Sequence, residues 1–380
     1  MECEHLPYGR HWIDEDDIRQ VVETLRSDWL TTGPAVEAFE RAVADYTGAT
    51  HTVAVSSGTA ALHAAIFALG IGPGDEVILP PLTFAATANC VAFQGATPVF
   101  ADVAHDTLLL DPERVAEKVS PRTKALIAVD YAGHPCDYDA LQKIAEEHRL
   151  ALVADSAHAL GATYKGRKAG TLADLTTFSF HPVKHITTGE GGMIATGDAG
   201  MARRMRSFRN HGITTDHRER AVVGTWCYEM TDLGYNYRLS DLQCALGISQ
   251  LRKLPAWSIR RHEIARQYDA AFRNNARVRP LVVRDEVSHA YHLYVVWVNA
   301  ATARDALVSG LRAKGIEANV HYIPVHLHPY YRQRWGGKPG LCPIAEEAYR
   351  HIVSLPIFPR MTDADVLRVT TEVDEICAAS

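Results

Sequence analysis

The chain has 380 residues, 47% of them hydrophobic and 22% charged, which is enough for one large core or for two domains. Its formal net charge of −6 argues against a nucleic-acid partner, because phosphate backbones are bound by clustered Lys and Arg side chains. The sequence has no run of roughly 20 apolar residues that would span a membrane, and no signal-peptide pattern at its N-terminus, which predicts a cytoplasmic protein.

Residues 50–200 alternate short runs of apolar, β-branched residues with longer helical patterns. The predicted strands are Thr52–Ser56, Glu76–Leu79, Thr97–Phe100, Lys124–Asp130, Ala151–Ala154, Leu175–Phe180 and Gly192–Thr196. Helical patterns, among them Gly58–Leu69 and Tyr138–His148, lie between most of these strands. Several strands carry consecutive apolar residues, which is typical of a sheet covered on both faces. This part of the chain therefore predicts an α/β fold with a mainly parallel sheet sandwiched by helices.

A different pattern begins after residue 236. Ser240-Asp241-Leu242-Gln243 is a capping box that begins a helix, and Pro255 is predicted to end that helix. The later predicted elements are a helix over Ser258–Asn274, a strand over Leu293–Val298, a helix over Thr302–Lys314, a strand over Glu317–Tyr322 and a helix from Thr362. We therefore expect a large domain over residues 1–255, which includes an N-terminal arm, and a smaller α+β domain over residues 256–380.

Small residues follow the first predicted strand, in the run Ser56-Ser57-Gly58-Thr59-Ala60-Ala61-Leu62. Free N–H groups at a helix N-terminus attract an anion, and small side chains let the anion approach the backbone. Gly58 and Thr59 are therefore candidate ligands of a phosphate group. A capped helix without any ligand has the same local pattern, so this run alone does not decide between the two.

Asp155 comes directly after a predicted strand, in Asp155-Ser156-Ala157-His158. The carboxyl ends of parallel strands are where α/β sheets build their sites. A carboxylate at that edge can pair with a protonated ring nitrogen, or it can simply cap the next turn.

Lys184 lies among small, uncharged and aromatic neighbours, in Ser179-Phe180-His181-Pro182-Val183-Lys184. A lysine removed from water has a lowered pKa, which is what an amine needs to form a Schiff base. The glycines at 189, 191 and 192 suit a tight turn after it. The alternative is an ordinary lysine on an exposed loop.

A fourth run, Gly234-Tyr235-Asn236-Tyr237-Arg238-Leu239-Ser240, offers amide and guanidinium donors just before the capped helix. By itself it could be a plain approach to that helix. The four runs together match the needs of pyridoxal phosphate (PLP), whose phosphate requires N–H and O–H donors, whose pyridine nitrogen requires an anion and whose aldehyde requires an amine.

These runs resemble the fold-type I, PLP-dependent nucleotide-sugar aminotransferases of the DegT/DnrJ group. The resemblance extends from Leu30-Thr31-Thr32-Gly33-Pro34 to Ser354-Leu355-Pro356, and includes Pro81-Leu82-Thr83-Phe84-Ala85-Ala86-Thr87-Ala88-Asn89. It implies an aspartate-aminotransferase-like fold, with PLP bound to a large domain and a smaller α+β domain at the C-terminus.

The resemblance also implies roles for the matching residues. Lys184 would bond to the cofactor and carry the proton between substrate and cofactor, and Asp155 would keep the ring nitrogen protonated. The other implied cofactor contacts are Phe84 on the ring face, His158 near the phenolic oxygen, Gly58, Thr59 and Ser179 at the phosphate, and Asn236 at the phosphate of the neighbouring subunit's cofactor. A homodimer with shared active sites follows from the last of these.

The implied reaction is a transamination from an amino donor, expected to be glutamate, to a keto sugar. Related sugar 3-dehydratases carry His where this chain has Lys184, so the lysine favours a transaminase. The runs Phe180–Gly192 and Val129–Gly133 are most similar to transaminases of the pseudaminic-acid pathway, which aminate carbon 4 of a UDP-linked 4-keto-6-deoxy-N-acetylhexosamine. Enzymes that make perosamine, bacillosamine precursors or 4-amino-arabinose share most of these residues, and a non-catalytic, regulator-like member is a further alternative.

Tyr322 and His326 lie in a run similar to the loop that lines the family's sugar pocket, and Arg238 is another candidate substrate contact. His321, His326 and His328 also suggest a metal site, but no Cys or carboxylate lies among them, so no metal is expected. The seven cysteines, an odd number without a C-x-x-C pair, predict neither a disulfide framework nor a structural zinc.

Overall fold

The structure is a computed structural model and describes residues 5–379. The α-helices are α1 (Glu15–Leu25), α2 (Pro34–Thr47), α3 (Gly58–Ala68), α4 (Ala85–Phe93), α5 (Pro112–Ala116), α6 (Tyr138–His148), α7 (Ala199–Phe208), α8 (His217–Val223), α9 (Asp241–Phe272), α10 (Ala301–Ala313), α11 (Pro329–Trp335), α12 (Pro343–His351) and α13 (Asp363–Ala379). The strands are β1 (His51–Val55), β2 (Glu76–Leu79), β3 (Thr97–Phe100), β4 (Thr123–Val129), β5 (Ala151–Asp155), β6 (Thr163–Tyr164), β7 (Arg167–Lys168), β8 (Leu175–Ser179), β9 (Gly192–Thr196), β10 (Val278–Pro280), β11 (Val287–Ser288), β12 (Tyr294–Val298) and β13 (Ile352–Leu355). Short 3₁₀ turns occupy Tyr131–Gly133 and Val325–Leu327.

The central sheet has seven strands in the order β1-β9-β8-β5-β4-β2-β3. Neighbours from β8 to β3 are parallel, whereas β9 runs antiparallel to both β8 and β1. Successive residues of β2, β4 and β5 are buried, so both faces of the sheet are covered. The expected α/β fold with a mainly parallel, helix-covered sheet is confirmed.

All seven strands predicted between residues 50 and 200 are present. Those at Glu76–Leu79, Thr97–Phe100 and Gly192–Thr196 begin and end where the sequence predicted. The strands β5 and β8 differ by one residue at one end, and β1 and β4 differ by one residue at both ends. These strands carry dense apolar runs with clear breaks on either side, which is the pattern that local sequence predicts best.

Pro255 does not end a helix, and the two helices predicted on either side of it form the single helix α9. A proline inside a helix removes one backbone hydrogen bond. The Pro255 side chain is exposed, while Leu254 and Trp257 beside it are buried and α9 packs against α1, α2 and α13. Packing on both sides of the proline therefore outweighs the lost bond.

The strand predicted over Glu317–Tyr322 is also wrong. This segment makes one isolated bridge, from Asn319 to Ser354, and the Glu317 N–H donates to the Leu6 carbonyl instead of to a sheet. The strand-like sequence pattern of this segment does not correspond to a strand. Residues 319–323 line a cavity instead.

The second sheet, β10-β12-β13, is antiparallel and buries its own apolar cluster with α10 and α13. Leu6 belongs to this cluster, although the other members that the structure describes lie between Ile264 and Cys377. The change from one core to the other occurs within α9, so a domain division at residue 255 stays a prediction. Between residues 5 and 379, no helix is both long and apolar enough to cross a membrane.

We expect Pro255→Ala to raise the free energy of unfolding by about 1 kcal/mol. Alanine restores the helical N–H that proline lacks, and no buried contact is lost because the proline ring is exposed. Denaturant unfolding would measure the change. Arg252→Ala, at another exposed position of α9, is the control and should change stability little. A lower stability for Pro255→Ala would mean that the helix is adapted to the proline.

Candidate active site

A cavity of about 760 Å³ opens at the carboxyl ends of β5 and β8. It is bounded by these strand ends, by the N-termini of α3 and α4, and by residues 319–323. The predicted site residues that line it are Gly58, Thr59, Phe84, Asp155, His158, Ser179, Lys184 and Tyr322. Tertiary structure thus brings the separate sequence runs into one site.

The N-terminus of α3 forms one end of the cavity. The Ser57 hydroxyl accepts the Ala60 N–H at 3.1 Å, and the first N–H groups of a helix have no partner within it. A Cβ atom added to Gly58 would lie 2.9 Å from Cβ of Ser179, so only glycine fits beside that serine. Gly58, Thr59 and Ser179 together form a cradle of N–H and O–H donors for an anion.

Asp155 ends β5 and is 6% exposed. Its Oδ2 accepts a hydrogen bond from the Thr87 hydroxyl at 2.7 Å, and its Oδ1 accepts the Ala157 N–H at 3.3 Å. Burial raises the pKa of the Asp155 carboxyl, and the Thr87 bond opposes that rise. A buried carboxylate of this kind is strongly stabilised by a cationic group placed in the cavity.

Lys184 lines the same cavity. Protein atoms surround its side chain, which is only partly exposed to solvent. Burial lowers the pKa of Lys184 to about 8, and the negative charge of Asp155 acts in the opposite direction. A sizeable fraction of the amine is therefore neutral, and nucleophilic, close to neutral pH.

His158 and Tyr322 meet on another wall of the cavity, with 3.1 Å between His158 Nε2 and the Tyr322 hydroxyl. Burial lowers the pKa of His158 and raises that of Tyr322, so both are neutral. If the phenol donates to Nε2, the proton of the neutral imidazole lies on Nδ1. No described residue accepts a hydrogen bond from this buried Nδ1.

Phe84 is 61% exposed although it is a large apolar residue at the N-terminus of α4. Its ring faces the cavity beside Tyr322, with 6.0 Å between ring centroids. An exposed aromatic face inside a concave site is suited to stacking on a planar ligand.

Several cavity residues were not predicted from the sequence. Among them are Tyr8, His181, Glu190, His292 and Asn319. His321 and His328, considered above only as metal ligands, also line the cavity. Tyr8 lies at the cavity because the N-terminal segment before it is held by the hydrogen bond from the Leu6 N–H to the Gly315 carbonyl. Tyr8, His292 and Asn319 lie far from Lys184 in the chain, so the sequence held no local signal for them. His181 and Glu190 lie in the Lys184 run itself, and their position beside Lys184 was the signal that could have found them.

The structure contradicts a substrate contact for His326. This side chain has no exposed surface, does not line the cavity, and lies 2.9 Å through Nε2 from Oε1 of Glu346. The sequence placed it correctly in the cavity loop but could not show that a short 3₁₀ turn directs it inward. His328, two residues later, lines the cavity instead.

Asn236 and Arg238 lie outside this chain's cavity. Asn236 is exposed, and the Arg238 guanidinium donates to Oδ1 of Asn210 at 2.8 Å. A contribution of either residue to a site would require a second subunit, so their predicted roles stay predictions. Within residues 5–379 no three His, Cys, Asp or Glu side chains are grouped to hold a metal ion.

The cavity thus combines an anion cradle, a buried carboxylate, a lysine with a lowered pKa and an exposed aromatic face. This set defines a lysine-dependent enzyme that holds a planar, phosphorylated and cationic ring. The donor set fits PLP, and the unpartnered Nδ1 of His158 is a further donor for an oxygen of that ring.

Comparison with known proteins gives the family. The model of the DegT/DnrJ/EryC1/StrS aminotransferase family matches residues 11–374. The chain is 43% identical to the uncharacterized protein MJ1066 of Methanocaldococcus jannaschii and 44% identical to the spore coat polysaccharide biosynthesis protein SpsC of Bacillus subtilis, in both cases over 98% of this chain and 97% of the relative.

Two solved structures are also similar. The putative sugar aminotransferase Spr1654 from Streptococcus pneumoniae, in its PMP form, has a TM-score of 0.94 and 33% identity over 98% of this chain and 99% of that one. PseC of Helicobacter pylori, an aminotransferase involved in the biosynthesis of pseudoaminic acid, has a TM-score of 0.93 and 32% identity over 99% of this chain and 100% of that one.

The chain belongs to the DegT/DnrJ/EryC1/StrS aminotransferase family. It is a PLP-dependent sugar aminotransferase with the type I fold.

After removal of the cofactor, the rate at which Lys184 captures added PLP should rise with pH to a plateau, with a midpoint near pH 8. The neutral amine reacts, and it is the dominant form above its pKa. Asp155→Asn removes the charge that favours the ammonium form, so its midpoint should be lower. Rapid-mixing absorbance would measure both, and a midpoint near that of a free lysine would contradict the burial of Lys184.

His326→Ala should lower the free energy of unfolding by about 2 to 4 kcal/mol, because it leaves a buried cavity and removes the His326 bond to Glu346, which keeps only its bonds from the Gly340 and Cys342 N–H groups. His328→Ala should leave stability almost unchanged and raise KM for the sugar. Denaturant unfolding and steady-state kinetics would separate the two. A raised KM for a fully stable His326→Ala variant would restore His326 as a substrate contact.

Proposed function

We propose that the protein is a transaminase that transfers the amino group of glutamate to the C4 keto group of a UDP-linked 4-keto-6-deoxy-N-acetylhexosamine, as in the pseudaminic-acid pathway. The observation that carries the transaminase chemistry is the meeting of Lys184, Asp155 and the α3 cradle in one cavity. The similarity to PseC along nearly the whole of both chains supports this sugar.

Each cavity residue has a distinct task in such a reaction. PLP, when bound, supplies the electron-accepting ring. Gly58, Thr59 and Ser179 hold its phosphate, and Asp155 keeps a positive charge on the ring nitrogen. Lys184 anchors the cofactor and, once released, accepts a proton at Nζ from the donor carbon and returns one to the sugar carbon. This amine suits both steps, because a pKa of about 8 makes it both a base and an acid near neutral pH.

The neutral state of His158 supports the same arrangement. An imidazolium beside Lys184 would repel a protonated amine, and burial keeps the pKa of His158 low. The Tyr322 hydroxyl holds its Nε2, which fixes the plane of the ring. His158 therefore acts as a neutral hydrogen-bond donor, a role consistent with the phenolic oxygen of the cofactor as its partner.

A second candidate is amination of a different nucleotide sugar. The 44% identity to SpsC, a spore coat polysaccharide biosynthesis protein, exceeds the 32% identity to PseC. That difference favours a sugar that is used for a polysaccharide. The perosamine, bacillosamine and 4-amino-arabinose types are the alternatives that the sequence resemblance offers. Both candidates use the same cavity chemistry and differ only in the sugar.

We also infer a homodimer with shared sites. Six large hydrophobic side chains just before Asn236 are more than half exposed, namely Val222, Val223, Trp226, Tyr228, Met230 and Leu233. So many exposed apolar side chains within one short segment are typical of a protein interface. Burying it against a second copy would carry Asn236 and Arg238 to the interface, where they are available to the partner's cavity.

The purified protein should absorb visible light from bound PLP, and glutamate should shift that band to the pyridoxamine form. Lys184→Ala should lose the response, because the amine that carries the proton is gone. Lys143→Ala, at an exposed position outside the cavity, is the control and should respond like the wild type. If no amine donor changes the wild-type band, the transaminase proposal fails.

The sugar is tested by adding keto sugars to the pyridoxamine form and following the return of the band. We expect the UDP-linked 4-keto-6-deoxy-N-acetylhexosamine to restore it fastest, with kcat/KM at least about tenfold above other nucleotide sugars. Faster recovery with a perosamine or bacillosamine precursor would select the second candidate.

Shared sites predict complementation between two inactive variants. Lys184→Ala and Asn236→Ala should each be impaired, and a mixture that exchanges subunits should recover up to about a quarter of wild-type activity, because half of the dimers would hold one intact site. Mixing at low temperature, where subunits do not exchange, is the control. No recovery after proven exchange would place Asn236 in its own chain's site or in none.

A further inference from the structure

Asp130 is a buried carboxylate beside the active site that no step above uses. It follows β4 directly and has no exposed surface, and it does not line the cavity. Burial raises the pKa of Asp130 to about 7, a rise to which the nearby charge of Asp155 adds. Since a buried carboxylate is costly, its retention calls for a reason.

Three donors surround this carboxylate. Oδ2 accepts the Ser156 hydroxyl at 2.6 Å, while Oδ1 accepts the Tyr138 hydroxyl at 2.8 Å and the Cys136 N–H at 3.0 Å. Tyr138 and Cys136 belong to the connection into α6 and its first turn, away from the cavity. Ser156 is different, because it is joined to Asp155.

Ser156 begins the turn that carries the catalytic side chains of this strand end. Asp155 and His158 line the cavity on either side of it, whereas Ser156 does not line the cavity and instead bonds to Asp130. The Ala159 N–H donates to the Ser156 carbonyl at 2.9 Å, which closes the turn. Rotation of Ser156 would therefore move the residues on both sides of it.

The backbone of the same segment holds the turn at two further points. The Asp130 N–H donates to the Asp155 carbonyl at 3.1 Å. At the other end of the turn, Gly133 packs so closely that an added Cβ would lie 2.8 Å from the His158 carbonyl oxygen. Residues 130–133 thus support the turn from Asp155 to His158 along its whole length.

We propose that Asp130 is a positioning residue, which sets the orientation of the Asp155 carboxylate and the His158 ring through its hydrogen bond to Ser156. The proposal rests on the proposed function, because it assigns Asp155 and His158 to the cofactor. It predicts that the bond to Ser156 matters for the cofactor and that the bond to Tyr138 matters only for stability.

The chain offers a matched pair of variants for this distinction. Ser156→Ala and Tyr138→Phe each remove one hydroxyl that donates to the same carboxylate, and neither side chain lines the cavity. Asp130→Ala removes these two bonds together with the bond from the Cys136 N–H, and Ser156→Ala keeps the test usable if that variant does not fold. Thr87→Val, which removes the direct bond to Asp155, is the positive control.

The experiment uses the full-length holoenzyme and measures five quantities for each variant. They are the dissociation constant of PLP, the pH dependence of the absorbance of bound PLP, kcat and KM for glutamate, and the melting temperature. Ser156→Ala and Asp130→Ala should weaken PLP binding and lower kcat by about 10-fold to 100-fold, with KM for glutamate changed far less, because the misplaced groups act on the cofactor. Their absorbance profiles should shift in the same sense as that of Thr87→Val.

Tyr138→Phe should lower the melting temperature and leave the dissociation constant, the absorbance profile and kcat at wild-type values. The proposal is overturned if Ser156→Ala keeps wild-type cofactor properties, or if Tyr138→Phe alters them as much as Ser156→Ala does. A wild-type protein that binds no PLP would instead overturn the proposed function, so the two failures are distinct.

Discussion

Strands β4, β5 and β8 run parallel and end side by side, and the site is assembled at that edge. Val129 pairs with Asp155 and Asp155 pairs with Thr177, so the residues that follow each strand emerge next to one another. Asp130, Ser156 and Ser179 owe their positions to this register. A shift of one residue in β5 would turn Asp155 to the other face of the sheet.

Burial then decides the chemistry of the groups that meet there. It lowers the pKa of Lys184 and raises that of Asp155, which would leave both nearer to neutrality than in water. Each group also favours the charged form of the other, and Thr87 favours the carboxylate through its hydrogen bond. A cationic ring bound in the cavity would therefore stabilise the ionised form of Asp155, while burial keeps the pKa of Lys184 low enough for the amine to react.

Much of the fold was predictable, because the strands of the central sheet are dense apolar runs with clear breaks. The errors came where long-range contacts overrode a local rule. Pro255 is a helix breaker in isolation, but α9 is held by packing on both sides of it. The segment 317–322 has a strand-like pattern, yet its backbone bonds to Leu6 and its side chains turn to the cavity.

The amino-acid sequence by itself determined the strands of the central sheet and singled out Gly58, Thr59, Asp155 and Lys184 as candidate site residues, because each of these inferences depends on residues adjacent in the chain. It did not determine that Tyr8, His292 and Asn319 line the cavity, that His326 turns inward to Glu346, or that Asp130 supports Ser156. Those contacts join residues far apart in the chain or depend on which way a turn directs a side chain. Only the tertiary structure decides them, because the energy that selects them comes from packing and burial between elements and not from local conformational preference.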